Sequence, residues 1–150
     1  MPLWVCATCG NHYPERDEPP EQCAICADER QWVPPSGQRW TTLAELAAAG
    51  HRSETRQIEP GLLGIGVDPP VAIGQRALVI QTAGGNLMWD PPGFLDEQAI
   101  ELVKDIGGLQ AVTASHPHFY GAGTSLSALP ASEALSGVTA SGLLMYAALD

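Results

Sequence analysis

Arg76-Ala77-Leu78-Val79-Ile80-Gln81, followed by Gly84-Gly85-Asn86 and then Leu87-Met88-Trp89-Asp90, decides the fold. Both flanking runs are short, apolar and rich in strand formers, and the glycine pair between them allows a tight reversal, so the stretch predicts a β-hairpin. Upstream, Leu62-Leu63-Gly64-Ile65-Gly66-Val67 reads as a further strand. Its glycines superficially suggest a phosphate loop, but no helix and no Lys-Ser/Thr pair follow. Downstream, Pro91-Pro92-Gly93 ends the sheet pattern. A helix is predicted from about Asp96 to Ile106, with Asp96 as N-cap, Leu95 and Ile100 at staple spacing, and Gly107-Gly108 as the stop. Leu109 to Thr113 then reads as a buried strand. The order strand, strand, strand, helix, strand is that of an α/β layered domain. It carries His116-Pro117-His118 to a loop at a strand end, where ligands commonly bind in such folds.

The N-terminal third has a different grammar. Residues 1–35 contain Cys6-x-x-Cys9 and Cys23-x-x-Cys26 together with Pro14, Pro19, Pro20, Pro34 and Pro35, which suppress helix. Two such pairs can present four thiolates tetrahedrally, so Cys6, Cys9, Cys23 and Cys26 predict a closed structural zinc site. Iron in a site of the same shape and a redox dithiol are the alternatives, the latter normally needing a pair at a helix start. A segment this short and polar cannot bury enough apolar surface to fold alone, so the metal is expected to hold it together. Replacing Cys9 by Ser is then expected to unfold this module and spare the rest. Residues 36–60 read as a linker with a short helix, where Thr42 and Glu45 have capping-box spacing and Gly50 is the stop.

Composition bounds the partners. With 7 basic against 17 acidic residues the net charge is −10, and scattered basic residues cannot form the positive stripe that nucleic acid requires. No apolar run is long enough for a membrane span, and metal-spaced cysteines fit a reducing cytoplasm. Beyond Gly121 the chain turns to Ala, Ser, Gly and Leu, with Glu133 and Asp150 its only charges. A helix around Ser132 to Leu135 and an apolar hairpin or helix near Leu143 to Leu149 are the readings available for this atypical tail, residues 122–150.

Histidines on loops are more often hydrogen-bonded or surface residues than ligands. His116 and His118 nevertheless flank a stiff proline, and Asp90 ends a strand of the same predicted sheet. An acidic residue and a His-x-His pair can therefore converge on one sheet edge, although Asp90 could equally cap the Pro91-Pro92 turn. His12 is expected to be solvated and His51 to interact with the end of the linking helix. The four tryptophans, Trp4, Trp32, Trp40 and Trp89, are expected to pack around the cysteine module or its junction.

Cys6-Ala7-Thr8-Cys9-Gly10-Asn11-His12-Tyr13 resembles a rubredoxin knuckle. Together with Asp28-Glu29-Arg30-Gln31, Gly37-Gln38-Arg39-Trp40-Thr41 and Ser115-His116-Pro117-His118-Phe119-Tyr120, it resembles metallo-beta-lactamase-fold metallo-hydrolases that carry a zinc-ribbon leader. The resemblance covers residues 1 to about 121. It implies the N-terminal half of an αββα sandwich over residues 61–121. It also implies a second zinc or other divalent metal at His116 and His118, which match the first two histidines of the family's His-x-His-x-Asp-His loop. Tyr120 stands in place of that motif's aspartate and Gly121 in place of its next histidine. The later family ligands have no counterpart, so the chain reads as truncated or frame-shifted after Gly121, and no catalytic side chain is assigned. Two functions follow. One is metal-dependent hydrolysis of a small-molecule ester, thioester, lactam or phosphoester; the other is a non-catalytic zinc-binding module for a protein partner.

Overall fold

The computed structural model describes residues 1–128, and both readings of the tail over 132–149 lie outside the described residues. Its first sheet is small and antiparallel, formed by β1 (Trp4–Cys6), β2 (His12–Tyr13) and β3 (Trp40–Thr42) in the order β2-β1-β3. Helix α1 (Leu43–Ala48) follows β3 directly. Thr42 Oγ1 accepts from the Glu45 amide while the Glu45 carboxylate accepts from the Thr42 amide, the reciprocal bonds that the sequence spacing predicts.

A second, mixed sheet has the order β4-β5-β6-β7-β8. It comprises β4 (Arg52–Glu59), β5 (Leu62–Asp68), β6 (Ala77–Thr82), β7 (Gly85–Trp89) and β8 (Ala111–Thr113). The first four strands are antiparallel neighbours. Strand β8 pairs parallel with β7 because helix α2 (Glu97–Asp105) intervenes, and a parallel return needs such a crossover. Asp96 caps α2 by accepting from the Ala99 amide at 2.9 Å. The fold class is thus mixed α/β, with more strand than helix among the described residues.

Strand alternation sets the core. Leu63 and Ile65 of β5, Ala77 and Val79 of β6, Met88 of β7 and Val112 of β8 point to one face. There they meet Ala99 and Val103, four residues apart on α2, with Ala122 and Leu126 at the start of α3 (Gly123–Ala128). Each large aliphatic side chain buried here stabilises the fold by about 1.5–3 kcal/mol. Residues 122 and 126, assigned to the atypical tail on composition, are therefore packed into this core. Asn86, read as a turn residue, is a buried β7 residue. Its Nδ2 donates to Ile106 O at 2.9 Å and to Gly108 O at 2.8 Å, satisfying carbonyls at the end of α2 that lack a helical partner.

The segment read as a linker contributes two strands as well as its helix. Strand β3 completes the cysteine-bearing sheet, and β4 forms an edge of the second sheet. A further core cluster joins the two sheets: Val5 from β1, Leu46 from α1, Val71 before β6 and Phe94 before α2 are all buried together. The N-terminal module is consequently packed onto the rest of the fold. Its glycines allow the approach. A Cβ on Gly93 would lie 3.1 Å from the Gly10 Cα and 2.9 Å from Val71 Cγ1, so the two glycine backbones meet where side chains would collide.

Candidate metal centre and the adjoining histidine loop

Each Cys-x-x-Cys pair lies in a tight turn. Gly10 N donates to Cys6 O at 2.7 Å, with Gly10 at φ +78°, and Ala27 N donates to Cys23 O at 2.9 Å. The turns bring all four sulfurs within 4.8 Å of one another, buried, with no disulfide. Cys6 Sγ lies 3.7 Å from Cys26 Sγ, and Cys9 Sγ 3.7 Å from Cys23 Sγ. Metal–sulfur bonds of about 2.3 Å in a tetrahedron require sulfur–sulfur edges of about 3.8 Å, so the cluster fits a four-coordinate metal. The geometry does not name the ion, because iron and zinc share it.

Electrostatics explain why such a cluster needs a cation. Hydrogen bonds from neighbouring thiols hold Cys23 well below the usual thiol range. Sharing hydrogen bonds with Cys23 and Cys6, together with burial, pushes Cys9 far up, and burial and neighbouring thiolates push Cys26 up to about 12. Cys9 and Cys26 thus resist ionisation beside Cys23, and a divalent cation removes that conflict. Donors surround the sulfurs. Asn11 Nδ2 donates to Cys9 Sγ at 3.2 Å, and Tyr13 Oη donates to Cys23 Sγ at 3.1 Å. Burial and this bond hold the Tyr13 phenol above its ordinary range. Trp40 meets the Tyr13 ring edge-on at 5.1 Å, so this tryptophan packs within the ribbon as expected. Trp32 and Trp89 instead remain 71% and 39% exposed.

The histidine loop leaves the C-terminal end of β8. His116 caps a single 3-10 turn, Pro117–Phe119, and its Nδ1 accepts from the His118 amide at 3.2 Å. The two rings are neighbours, with centroids 5.3 Å apart. Because neutral imidazole has one lone pair, this cap leaves a proton on His116 Nε2; metal ligation there requires the ring to release the amide. His118 Nε2 is buried without a partner among the described residues. Burial and the charge of His116 lower the His118 pKa, against the opposing pull of Cys23 and Asp28 from the ribbon.

Asp90 does reach this sheet edge, as β7 and β8 are adjacent and parallel. Its carboxylate is nevertheless committed: Oδ1 accepts from the Ser115 amide at 2.6 Å, and both oxygens accept from Ser115 Oγ at 2.9 Å. The residue straps β7 to the stem of the loop and caps no Pro91-Pro92 turn. Position 121 is closed to any side chain. Gly121 has φ +43°, and a Cβ there would sit 2.1 Å from Pro91 O and 2.5 Å from Pro92 O. No third histidine ligand could stand at that position in this backbone.

His12 corrects an expectation. Instead of being solvated it is 6% exposed, with Nε2 2.8 Å from Gly93 O and Nδ1 2.7 Å from Ser125 Oγ. A carbonyl can only accept, so Nε2 carries the proton and Ser125 donates to Nδ1. Burial lowers the His12 pKa to about 4, with the Gly93 carbonyl pulling weakly upward. His51 meets the end of α1 through its backbone, its amide donating to Leu46 O at 3.1 Å, while its Nδ1 lies 2.7 Å from Pro69 O in a loop. Sequence reasoning missed Asn11, Ser115 and the buried role of His12. Their partners lie 106, 25 and up to 113 residues away, and only Tyr13, the aromatic of the knuckle, carried a local signal.

The chain is similar to YmaE, an uncharacterized protein of Bacillus subtilis (strain 168), at 41% identity over 121 residues. That alignment takes in 80% of this chain and 44% of YmaE, so the chain spans less than half the length of this relative. No family model and no solved structure matches the chain. Among the described residues, no helix is long and apolar enough to cross a membrane.

Proposed function

We propose that this chain is a ribbon-bearing scaffold of a metallo-beta-lactamase-like, metal-dependent hydrolase, with structural zinc at Cys6, Cys9, Cys23 and Cys26. The observation that carries the reading is the mixed sheet in which β7, α2 and β8 bring the Asp90 strap and the His116-Pro117-His118 loop to one edge. In the sandwich this implies, the face of the sheet carrying Leu78, Ile80 and Leu87 would meet a second sheet. Zinc suits the sulfur site because a fully coordinated ion without redox chemistry supplies folding energy and no open position for substrate. Hydrolysis would belong to the histidine loop. A catalytic zinc takes three protein ligands and keeps one position open, so two imidazoles must be joined by a ligand from outside residues 1–128.

The competing reading, a non-catalytic zinc module for a protein partner, gains from one observation: the hydrogen bonds of His116 Nδ1 and the Asp90 carboxylate already occupy the groups a second metal would use. Metal content with X-ray absorption separates the two. The hydrolase reading expects one metal with four sulfur ligands and a second with nitrogen ligands that His116→Ala and His118→Ala remove. A single sulfur-bound metal at saturating zinc supports the module and defeats the hydrolase.

A further inference from the structure

The ribbon and the histidine loop share a side chain. Asn11 is 4% exposed, and its Nδ2 donates both to Cys9 Sγ at 3.2 Å and to Pro117 O at 3.3 Å. The next residue continues the contact, since His12 N donates to Gly121 O at 3.1 Å. Two successive residues of the ribbon therefore hold the first residue of the turn that presents His118 and the chain just beyond its C-cap. The amide orientation is fixed by chemistry. Both partners of Nδ2 are acceptors, so a reversed amide would set its oxygen against a carbonyl and a sulfur. Three buried polar atoms without a partner among the described residues, Asn11 Oδ1, Gln75 Oε1 and His118 Nε2, belong to residues of this junction, where Gln75 Nε2 donates to Cys9 O at 3.5 Å.

We propose that Asn11 is a positioning residue through which metal at the four sulfurs fixes the His116-Pro117-His118 loop. A metal-held sulfur is a stationary, negatively charged acceptor, whereas a free thiol is a weak and mobile one. Loading the ribbon thus anchors the Asn11 amide, and the anchored amide holds the Pro117 carbonyl. Removing the metal frees that carbonyl although the loop lies outside the coordination shell. The effect is one of orientation, of the kind by which outer groups commonly tune a metal site and its surroundings. The inference rests on the sulfur-site part of the proposed function and is independent of hydrolysis.

Hydrogen exchange on the full chain tests it, with zinc as the only added ligand and metal content measured on the same samples. The reporters are the amides of His118, Phe119 and Tyr120, which bond to His116 Nδ1, His116 O and Pro117 O. Asn11→Ala is expected to keep one sulfur-bound zinc yet to exchange these amides about tenfold faster, approaching zinc-stripped wild type. Tyr13→Phe removes the other side-chain donor to the sulfurs without touching the loop, and should leave them slow. If Asn11→Ala does not fold, Asn11→Gln, whose longer arm shifts the amide away from both acceptors, is read in the same way. Slow exchange in a zinc-loaded Asn11 variant, or equal acceleration by Tyr13→Phe, overturns the positioning role. Absence of sulfur-bound zinc from wild type overturns the metal reading beneath it.

Discussion

At the scale of single residues, His12 shows how a polar group inside the seam ties stability to pH. The folded chain holds this imidazole neutral down to about 4, against 6.5 for an ordinary histidine. Between those values the unfolded chain binds a proton that the folded chain does not, so unfolding gains as the pH falls. The stabilisation by neutral His12 is therefore complete above pH 6.5 and is lost as the pH drops from 6.5 towards 4, a loss on the order of 3 kcal/mol. His12→Gln should be less stable than wild type at pH 7, and the gap should narrow by roughly 2–3 kcal/mol by pH 4.5. Urea unfolding of both proteins at the two pH values checks this, and the comparison cancels acid effects on the cysteines, which both proteins share. A gap that stays constant with pH would show that His12 titrates alike in the folded and unfolded chain, which overturns its buried neutral state. None of this was readable locally, because the groups that desolvate and bond His12 come from Gly93 and Ser125.

Among elements, legibility follows the hydrophobic pattern. Strands β5 to β8 and helix α2 were legible because one face of each is buried, so apolar residues recur at the period of the element. Strand β4 was not. All but one of its eight residues are exposed, only Ser53 being part-covered, and it is held as an edge by its ladder with β5, which leaves no apolar alternation to read. The cysteine site was legible from spacing, since two knuckles specify their ligands within each turn. The histidine loop was legible as a loop, while its internal bonds were not. Those bonds support a prediction about the β7–β8 edge. Asp90 has φ +55°, which asparagine tolerates as well as aspartate, so Asp90→Asn preserves the backbone and removes only the charged acceptor for Ser115. The variant should lose about 1–2 kcal/mol and exchange the Ser115 amide faster, with the β5–β6 amides unchanged. Uniform acceleration across the sheet would mean that Asp90 supports the whole element and not the stem of the loop.

For the whole molecule the decisive feature is the seam. If the ribbon were a bead on a linker, losing its metal would unfold residues 1–35 and leave the sheet intact, as the proline-rich spacing alone suggests. The packing argues otherwise. Val5 of the ribbon shares a buried cluster with Leu46, Val71 and Phe94, the Gly10 and Gly93 backbones are in contact, and His12 bonds to both Gly93 and Ser125. Unfolding the ribbon would expose Val71 and Phe94 and leave the Gly93 carbonyl without its buried partner, costs of several kcal/mol borne by the larger sheet. Metal that binds only the folded chain stabilises it by mass action, and that stabilisation is transmitted across the seam. Thermal unfolding should accordingly be a single transition by far-ultraviolet circular dichroism and tryptophan fluorescence alike. Chelator should lower its midpoint as one step, and Cys9→Ser should lower it with or without zinc. Two separated transitions, the first removed by Cys9→Ser and the second indifferent to chelator, would restore the bead on a linker. They would also confine any influence of the metal to the ribbon, because an independently folding sheet would hold the histidine loop whatever the state of the sulfurs.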